Sequence, residues 1–183
     1  MIFKQETQIL KCTFEKEHFS KVKAAFKDRW PVVYIIEDDE KGQAYIGEST
    51  NICTRICDHW NNTERRALKN IYIIFNKVFN KSVILDLEAF LIGYIADGKY
   101  RLQNGNGGQH VHNYYLRDEY QREFRHIWQL LQDEGVVRHG ITLLENQDLF
   151  KYSPYKILNL DQFNVAVQIL TDLKYDLGNN NQS

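Results

Sequence analysis

Residues 32–47, VVYIIEDDEKGQAYIG, decide the fold of this chain. Two runs rich in β-branched and aromatic residues, 32–36 and 44–47, are separated by the turn-forming stretch DDEKG. Two such runs joined by a short turn predict an antiparallel hairpin. The hydroxyls of Tyr34 and Tyr45 then belong to neighbouring strands.

Helical patterns flank the hairpin. Apolar residues at helical spacing predict helices over 15–28, from the capping cluster 49–51 to about residue 60, over 83–96 with Ser82 as its cap, over 116–133, and over 160–173. Residues 71–75 are predicted to form a third strand, and residues 100–102 and 136–144 to be extended. We therefore expect an α/β (α+β) fold, with a small, mainly antiparallel three-stranded sheet flanked by helices and a helical C-terminal extension.

Composition excludes several classes of protein. The 183 residues are 43% hydrophobic and 26% charged, close to globular averages, so the chain is not disordered throughout. The 23 basic and 24 acidic residues give a net charge of −1, unlike a protein that binds nucleic acid over its whole surface. The apolar run 71–95 is interrupted by charged residues, which argues against a membrane span. Three cysteines without a disulfide pattern and the lack of an apolar leader predict a cytoplasmic protein.

One carboxylate stands out in the helix predicted over 83–96. On a helical wheel Glu88 lies among apolar residues, whereas Asp86 lies on the opposite side. A carboxylate in an apolar arc is costly without a compensating cation or strong hydrogen-bond donors. Glu88 is therefore a candidate metal ligand. The alternatives are a carboxylate at the edge of a mostly buried helix, or one that is paired with a lysine.

The order of these features resembles the GIY-YIG nuclease superfamily. The segment VVY at 32–34 is followed by YIGESTNI at 45–52 and then by Arg55. The resemblance covers about residues 31–106. One departure is that Val32 stands where the family has its first glycine, and valine is the better strand residue.

The resemblance implies a role for six residues. In the family, two strand tyrosines, a helical arginine, a later metal-binding glutamate and a loop asparagine form the site. The corresponding catalytic residues here are Tyr34, Tyr45, Arg55, Glu88 and Asn104, and His59 matches a position that is often histidine. Asn104 precedes a glycine, so it is equally typical of a turn. His59 is also consistent with an ordinary surface position on a helix.

These residue types suit hydrolysis of a phosphodiester bond. Glu88 would hold one Mg²⁺ or Mn²⁺ and leave coordination sites for water and phosphate. Arg55 would bind the non-bridging phosphate oxygens as negative charge develops. Either Tyr45 or Tyr34 would take or relay the proton of the attacking water, with the cation and Arg55 lowering its pKa.

Basic residues indicate a path for DNA. Between residues 51 and 82, six basic side chains outnumber two acidic ones, which favours phosphate binding that salt weakens. Two candidates precede the Glu88 helix, whose N-terminus attracts phosphate. Each charge is also consistent with a solvated surface residue. The nucleic-acid-binding candidates are Arg65, Arg66, Lys69, Lys77, Lys81 and Ser82.

The resemblance also divides the chain. It implies a GIY-YIG nuclease-like domain over 31–108, after a lead-in strand or helix over 1–30. The helical pattern over 109–175 predicts an extension that packs on this domain or links it to a missing ATPase domain, and the polar residues 176–183 predict a disordered tail. Residues 150–162 resemble the segment that, in a bacterial family, joins such a domain to a helicase-like P-loop ATPase. Gln162 would then read adenine, or it caps a helix together with Asn159. No P-loop motif occurs, so we expect the N-terminal part of a longer protein.

The resemblance and the residues lead to one expected function. We expect a metal-dependent endonuclease that hydrolyses DNA phosphodiester bonds, with an attached P-loop ATPase or helicase as a partner and no membrane partner. The alternative is a catalytically weak or inactive nucleic-acid-binding module that targets an attached motor. A protein-interaction domain is a third candidate, which the near-zero net charge permits.

Overall fold

A five-stranded sheet organises the chain in a computed structural model that describes residues 7–26, 29–95, 99–105 and 113–145. Its strands are β1 (Gln8–Thr13), β2 (Val32–Asp38), β3 (Gln43–Ser49), β4 (Asn70–Phe75) and β5 (Arg101–Leu102), in the order β1-β4-β2-β3-β5. All neighbours are antiparallel except β3 and β5, which are parallel. The expectation of three strands is therefore wrong. The three predicted strands form the centre, and two strands with weak sequence patterns extend it at the edges.

The predicted hairpin is confirmed. β2 pairs with β3 from Val32 opposite Ser49 to Asp38 opposite Gln43. β4 pairs with the other side of β2, and all seven residues of β2 are buried. A strand enclosed on both edges and both faces has a continuous apolar run, as β2 has over residues 32–36.

Helices cover both faces of the sheet. On one face, Tyr34 and Ile36 share a core with α1 (Phe19–Ala25) and α2 (Ile52–Asn61). On the other, Val33 and Ile35 share a core with α4 (Lys81–Ile95) and α5 (Arg117–Asp133). Two short helices, α3 (Thr63–Arg66) and α6 (Ile141–Glu145), complete the described elements. Alternation along β2 thus sends successive side chains into two separate cores.

Several helix boundaries differ from expectation. Ser82 does not cap α4, because Oδ1 of Asn80 accepts the hydrogen bond from the Val83 N–H at 3.1 Å. The helix predicted over 15–28 is a 3-10 turn at Lys16–His18 followed by the short α1. The extended segment predicted over 136–144 is wrong, since residues 141–145 form α6 and bury Ile141 and Leu144 at helical spacing.

The C-terminal predictions lie outside the described residues. These are the helix over 160–173, Gln162 and the tail over 176–183. Within the described ranges, no helix is both long enough and apolar enough to cross a bilayer.

Candidate active site

The side chain of Tyr34 crosses the backbone of Gly47. Strand register places the two residues opposite each other, and Tyr34 is fully buried. A Cβ on residue 47 would lie 2.3 Å from the Tyr34 hydroxyl oxygen. Gly47 does not have a positive φ, unlike Gly42 and Gly135. The glycine of YIG is therefore required by the space that the tyrosine ring occupies.

Two residues of α2 hold the Tyr34 hydroxyl. Nε2 of His59 lies 2.7 Å from it, and Nε of Arg55 donates a hydrogen bond to it at 3.4 Å. The two α2 residues share a helix face because they are four positions apart. A guanidinium can only donate, so the Tyr34 oxygen accepts from Arg55 and can direct its own proton to His59.

Burial sets the charge states of this group. Burial and then the neighbouring Tyr45 raise the pKa of Tyr34, against the opposing effect of Arg55. His59 is only 3% exposed, so it does not occupy a surface position. Burial, together with the charges of Arg55 and Arg65, lowers the pKa of His59 to about 3. The imidazole is therefore neutral at physiological pH and can accept the phenolic proton.

Tyr45 lies beside this pair but is only half-buried. Its ring centroid is 6.2 Å from that of Tyr34 and 4.8 Å from the His59 ring. The guanidinium of Arg65 lies over the Tyr45 ring at 3.9 Å. Arg55 also interacts with the Tyr45 hydroxyl. Two aromatic side chains from the hairpin and two arginines from α2 and α3 therefore meet at one point.

The outer edge of β3 positions Asn104. Its Oδ1 accepts a hydrogen bond from the Ile46 N–H at 3.0 Å, and its Nδ2 donates to the Ile46 carbonyl at 2.8 Å. The backbone N–H and carbonyl of Ile46, which β5 does not reach, are thus both hydrogen-bonded by the Asn104 side chain. Asn104 lies two residues beyond the end of β5 and extends the pairing with β3 by two side-chain hydrogen bonds.

Glu88 projects from α4 toward the same edge. The backbone N–H of Glu48, two residues beyond Ile46, interacts with the Glu88 carboxylate. Burial and then the Glu48 carboxylate raise the pKa of Glu88 to about 7, although Lys81 and Arg55 favour the ionised form. The charge of Glu88 also acts on Tyr34. The carboxylate is therefore within electrostatic reach of the tyrosine and arginine cluster.

Glu48 is a neighbour that sequence reasoning missed. Its Oε1 forms an ion pair with Lys81, and its Oε2 is buried with no hydrogen-bond partner in the described part of the chain. The signal was present in the strand alternation, which puts Glu48 on the same face as Ala44 and Ile46 and hence toward α4. A charged residue at the end of an apolar face was a candidate for the site.

Residues 31–101 match the family model of the GIY-YIG catalytic domain. The match confirms the resemblance, and the family is a nuclease family. It covers less than half of the chain, including Tyr34, Tyr45, Arg55 and Glu88, whereas Asn104 lies just beyond it. No curated protein and no solved structure shows significant similarity to the chain.

The GIY-YIG segment offers oxygen ligands for a hard cation. In the described ranges no group of three or more His, Cys, Asp or Glu side chains could hold a metal ion. The donor set near the tyrosines is instead the half-buried Glu88 and the neighbouring Glu48, which has a buried unpartnered oxygen. Few carboxylates with room for water and phosphate suit Mg²⁺ or Mn²⁺. The residues therefore fit the cation that the family implies.

The nucleic-acid-binding candidates separate into three groups. Arg65 lies on Tyr45, and Lys81 contacts Glu48 with Ser82 beside it in the first turn of α4. Arg66 and Lys77 are exposed.

Lys69 lies away from these residues. It forms ion pairs with Asp38 and Glu40, and the register of β2 places these residues at the opposite end of the strand from Val32. The structure therefore does not bring Lys69 to the GIY-YIG cluster, the group formed by Tyr34, Tyr45, Arg55, His59 and Glu88.

A polar cleft opens next to Asn104. Its volume is about 410 Å³, and it lies between α3 and the β3–β5 edge. It is lined by Gln43, Glu64, Ala67, Arg101, Leu102, Gln103 and Asn104. The cleft is thus built largely from side chains that can hydrogen-bond, and it adjoins the GIY-YIG cluster through Asn104.

Proposed function

We propose that this chain is a divalent-metal-dependent endonuclease that hydrolyses phosphodiester bonds of DNA. The observation that carries the proposal is the convergence of Tyr34, Tyr45, Arg55, His59 and Glu88 within a segment that matches a nuclease family. Titratable side chains whose pKa values are shifted by burial and by one another, as those of Tyr34, His59 and Glu88 are, cluster at functional sites.

Arg55 would bind the scissile phosphate. Its Nε is occupied by the Tyr34 hydroxyl, which fixes the plane of the guanidinium, while the residue as a whole is exposed. The remaining N–H groups can then donate to two non-bridging oxygens. Charge that develops on those oxygens during attack is stabilised by donors that are already in place.

Tyr45 would be the tyrosine that meets the attacking water. The Tyr34 hydroxyl is fully buried and shared between His59 and Arg55, whereas Tyr45 is half-buried. Positive charge from Arg65 and Arg55 surrounds the Tyr45 ring and hydroxyl. Tyr34 and His59 would position Arg55 and Tyr45, and the neutral imidazole of His59 would accept the proton of the attacking water by way of a tyrosine hydroxyl.

Glu88 would hold one Mg²⁺ or Mn²⁺. When bound there, the cation would supply positive charge to the phosphate and acidify a coordinated water. The same carboxylate would be restrained by the backbone N–H of Glu48, which favours its ionised form. Asn104 would keep this edge of β3 rigid through its two hydrogen bonds to Ile46.

The DNA backbone would approach the GIY-YIG cluster from the side of α3, where Arg65 and Arg66 lie. Arg65 lies over the Tyr45 ring, Arg66 is its exposed neighbour on α3, and Glu64 of the same helix lines the polar cleft beside Asn104. Phosphate binding by few basic residues predicts modest affinity and a shallow dependence on salt. The expected attachment to a P-loop ATPase and the cytoplasmic location remain proposals, which the full genomic reading frame and fractionation of cells would test.

Nicking of supercoiled plasmid DNA tests the proposed function. The parent chain is expected to convert plasmid to the open-circular form with Mg²⁺ or Mn²⁺ and to stop with EDTA. Glu88→Gln and Arg55→Ala should each reduce the rate by at least about 100-fold. The exposed residues Glu17 and Arg138 supply the matched control variants Glu17→Gln and Arg138→Ala, which should cleave as the parent does.

The remaining outcomes separate the alternatives. Plasmid binding without nicking would favour a nucleic-acid-binding module over an enzyme. Undiminished nicking by Glu88→Gln would contradict the metal assignment. Absence of both binding and nicking, in protein shown to be folded, would contradict the proposed function.

A further inference from the structure

Glu48 meets Glu88 through its backbone as well as its side chain. The Glu48 N–H interacts with the Glu88 carboxylate, and the two carboxylates repel each other. Glu48 lies on β3, whose end is fixed by pairing with β2, and Glu88 lies on α4. Two rigid elements therefore bring two acidic groups together at the edge of the GIY-YIG cluster.

The two oxygens of the Glu48 carboxylate differ in their contacts. Oε1 forms an ion pair with Lys81, while Oε2 is buried and accepts no hydrogen bond from the residues that the structure describes. The side chain is 18% exposed, and that of Lys81 is 55% exposed. An unpartnered buried carboxylate oxygen is unfavourable unless another donor or a cation compensates it.

Lys81 alone does not balance these two carboxylates. Its ammonium contacts Glu48 and acts on Glu88 only through a longer-range charge interaction. The positive charge of Arg55 also acts on Glu88, and the Nε of Arg55 is already engaged with Tyr34. A divalent cation between the carboxylates would neutralise both of them and would give Oε2 of Glu48 a ligand.

We propose that Glu48 supplies a second carboxylate ligand for the divalent cation held by Glu88, and that Lys81 competes with the cation for this carboxylate. The inference rests on the proposed function, because the cation is part of that function. Two carboxylates leave several coordination sites for water and phosphate, as Mg²⁺ and Mn²⁺ require. A Lys81 side chain released from Glu48 would then be free to contact a DNA phosphate.

Direct binding of Mn²⁺ tests the inference without DNA. In titration calorimetry of the whole chain with Mn²⁺, we expect the Kd of Glu48→Gln to be at least tenfold higher than the Kd of the parent. Broadening of the Mn²⁺ electron paramagnetic resonance signal in ¹⁷O-enriched water counts the water ligands. This count should rise by one in Glu48→Gln, because water replaces the lost carboxylate.

Glu40 provides a matched control. It forms an ion pair with Lys69 of the same kind as that between Glu48 and Lys81, but at the opposite end of β2. Glu40→Gln should leave both Kd and the water count unchanged. Lys81→Gln should bind Mn²⁺ several-fold more tightly than the parent, and this variant retains both carboxylates if Glu48→Gln fails to fold.

Each outcome decides one question. An unchanged Kd in Glu48→Gln, with the parent binding Mn²⁺, overturns the role of Glu48 and leaves the proposed function intact. A weaker Kd with an unchanged water count means that Glu48 acts through charge alone, which also overturns its assignment as a ligand. Unaltered or weaker binding by Lys81→Gln contradicts the competition. A parent chain that binds no Mn²⁺ contradicts the metal dependence itself.

Discussion

The phenol of Tyr34 lies so close to the Cα of Gly47 that a methyl group on residue 47 would reach within 2.3 Å of the phenolic oxygen. The hairpin therefore does more than present two tyrosines. Because residue 47 has no side chain, this face of β3 leaves space for the Tyr34 ring, whose hydroxyl reaches His59 and Arg55 on α2. The glycine of YIG and the tyrosine of VVY are two halves of one packing arrangement.

Gly47→Ala should disrupt this arrangement. The added methyl cannot be accommodated by a small movement, because the Tyr34 ring is fully buried and hydrogen-bonded at its tip. We expect a loss of about 1–3 kcal/mol in the free energy of unfolding and a loss of plasmid nicking. Urea denaturation and the nicking assay measure the two effects.

Gly105 offers the control for this substitution. A Cβ on Gly105 would meet no atom of the described residues within 4 Å, and the Gly105 backbone does not have a positive φ. Gly105→Ala should therefore leave the urea midpoint and the nicking rate as they are in the parent. A Gly47→Ala protein as stable and active as the parent would contradict the close contact between residue 47 and Tyr34.

The ionisation of Glu88 should make its replacement stabilising at high pH. Burial and Glu48 raise the pKa of Glu88 in the folded chain to about 7 from an ordinary value of 4.5. A raised carboxyl pKa contributes stability that is present below pH 4.5 and lost as pH rises through 7. Since glutamine imitates the neutral carboxyl, Glu88→Gln in EDTA should melt above the parent at pH 8.5 and close to it at pH 5.

Saturating Mn²⁺ should reverse the order at pH 8.5. Binding to the folded parent stabilises it, whereas the glutamine variant lacks the ligand. Differential scanning calorimetry at the two pH values, with and without Mn²⁺, tests both signs. If Glu88→Gln in EDTA melts above the parent by the same margin at pH 5 and at pH 8.5, ionisation of Glu88 is not the cause of its higher melting temperature.

The sequence was sufficient for the parts of the fold with strong local patterns. The hairpin, β4, α2, α4 and α5 each have a dense apolar period, and the family resemblance assigned the tyrosines, Arg55 and Glu88 to them. β1 and β5 were missed as sheet members because strand pairing at an edge depends on tertiary contacts. β1 is half-buried or exposed throughout, and β5 has only two residues.

The missed parts of the site have a similar physical cause. Glu48 was not assigned because its significance depends on α4, which lies far along the chain but contacts the end of β3 through Lys81. His59 remained open between a buried and a surface position because the aromatic rings around it come from the hairpin. Local periodicity identifies the face of a helix but not what covers it.

His59 should stay neutral over the whole physiological range. Burial, Arg55 and Arg65 lower its pKa to about 3, so the folded chain favours the unprotonated ring. The stability that this contributes is present above pH 6.5 and is lost as pH falls toward 3. We expect the His59 imidazole resonances in a ¹H–¹⁵N long-range correlation spectrum to be constant between pH 5 and pH 8. Titration near pH 6.5 in the folded protein would contradict the burial of the ring between two arginines.

Asp86 should matter for stability and not for catalysis, in contrast to Glu88 two residues along the same helix. The side of α4 opposite Glu88 is not open to solvent, because Asp86 is only 8% exposed. Arg117 of α5 donates to it from Nε at 3.2 Å and from Nη2 at 3.4 Å, and the Tyr114 hydroxyl donates at 3.0 Å. The Asp86 carboxylate therefore connects α4 to α5 through Arg117 and to the preceding segment through Tyr114.

Removing this carboxylate leaves the arginine and the phenol without their acceptor. Because Arg117 is partly exposed, we expect Asp86→Ala to lower the free energy of unfolding by about 2–3 kcal/mol, below the full value for a buried pair. Asp86→Asn retains an acceptor oxygen and should lose about half as much. Both variants should bind Mn²⁺ and nick plasmid as the parent does at temperatures where they remain folded. Urea denaturation measures the stability, and Mn²⁺ titration measures the metal binding. Weakened Mn²⁺ binding by folded Asp86→Asn would mean that Asp86 and Glu88, on opposite sides of α4, do not act independently.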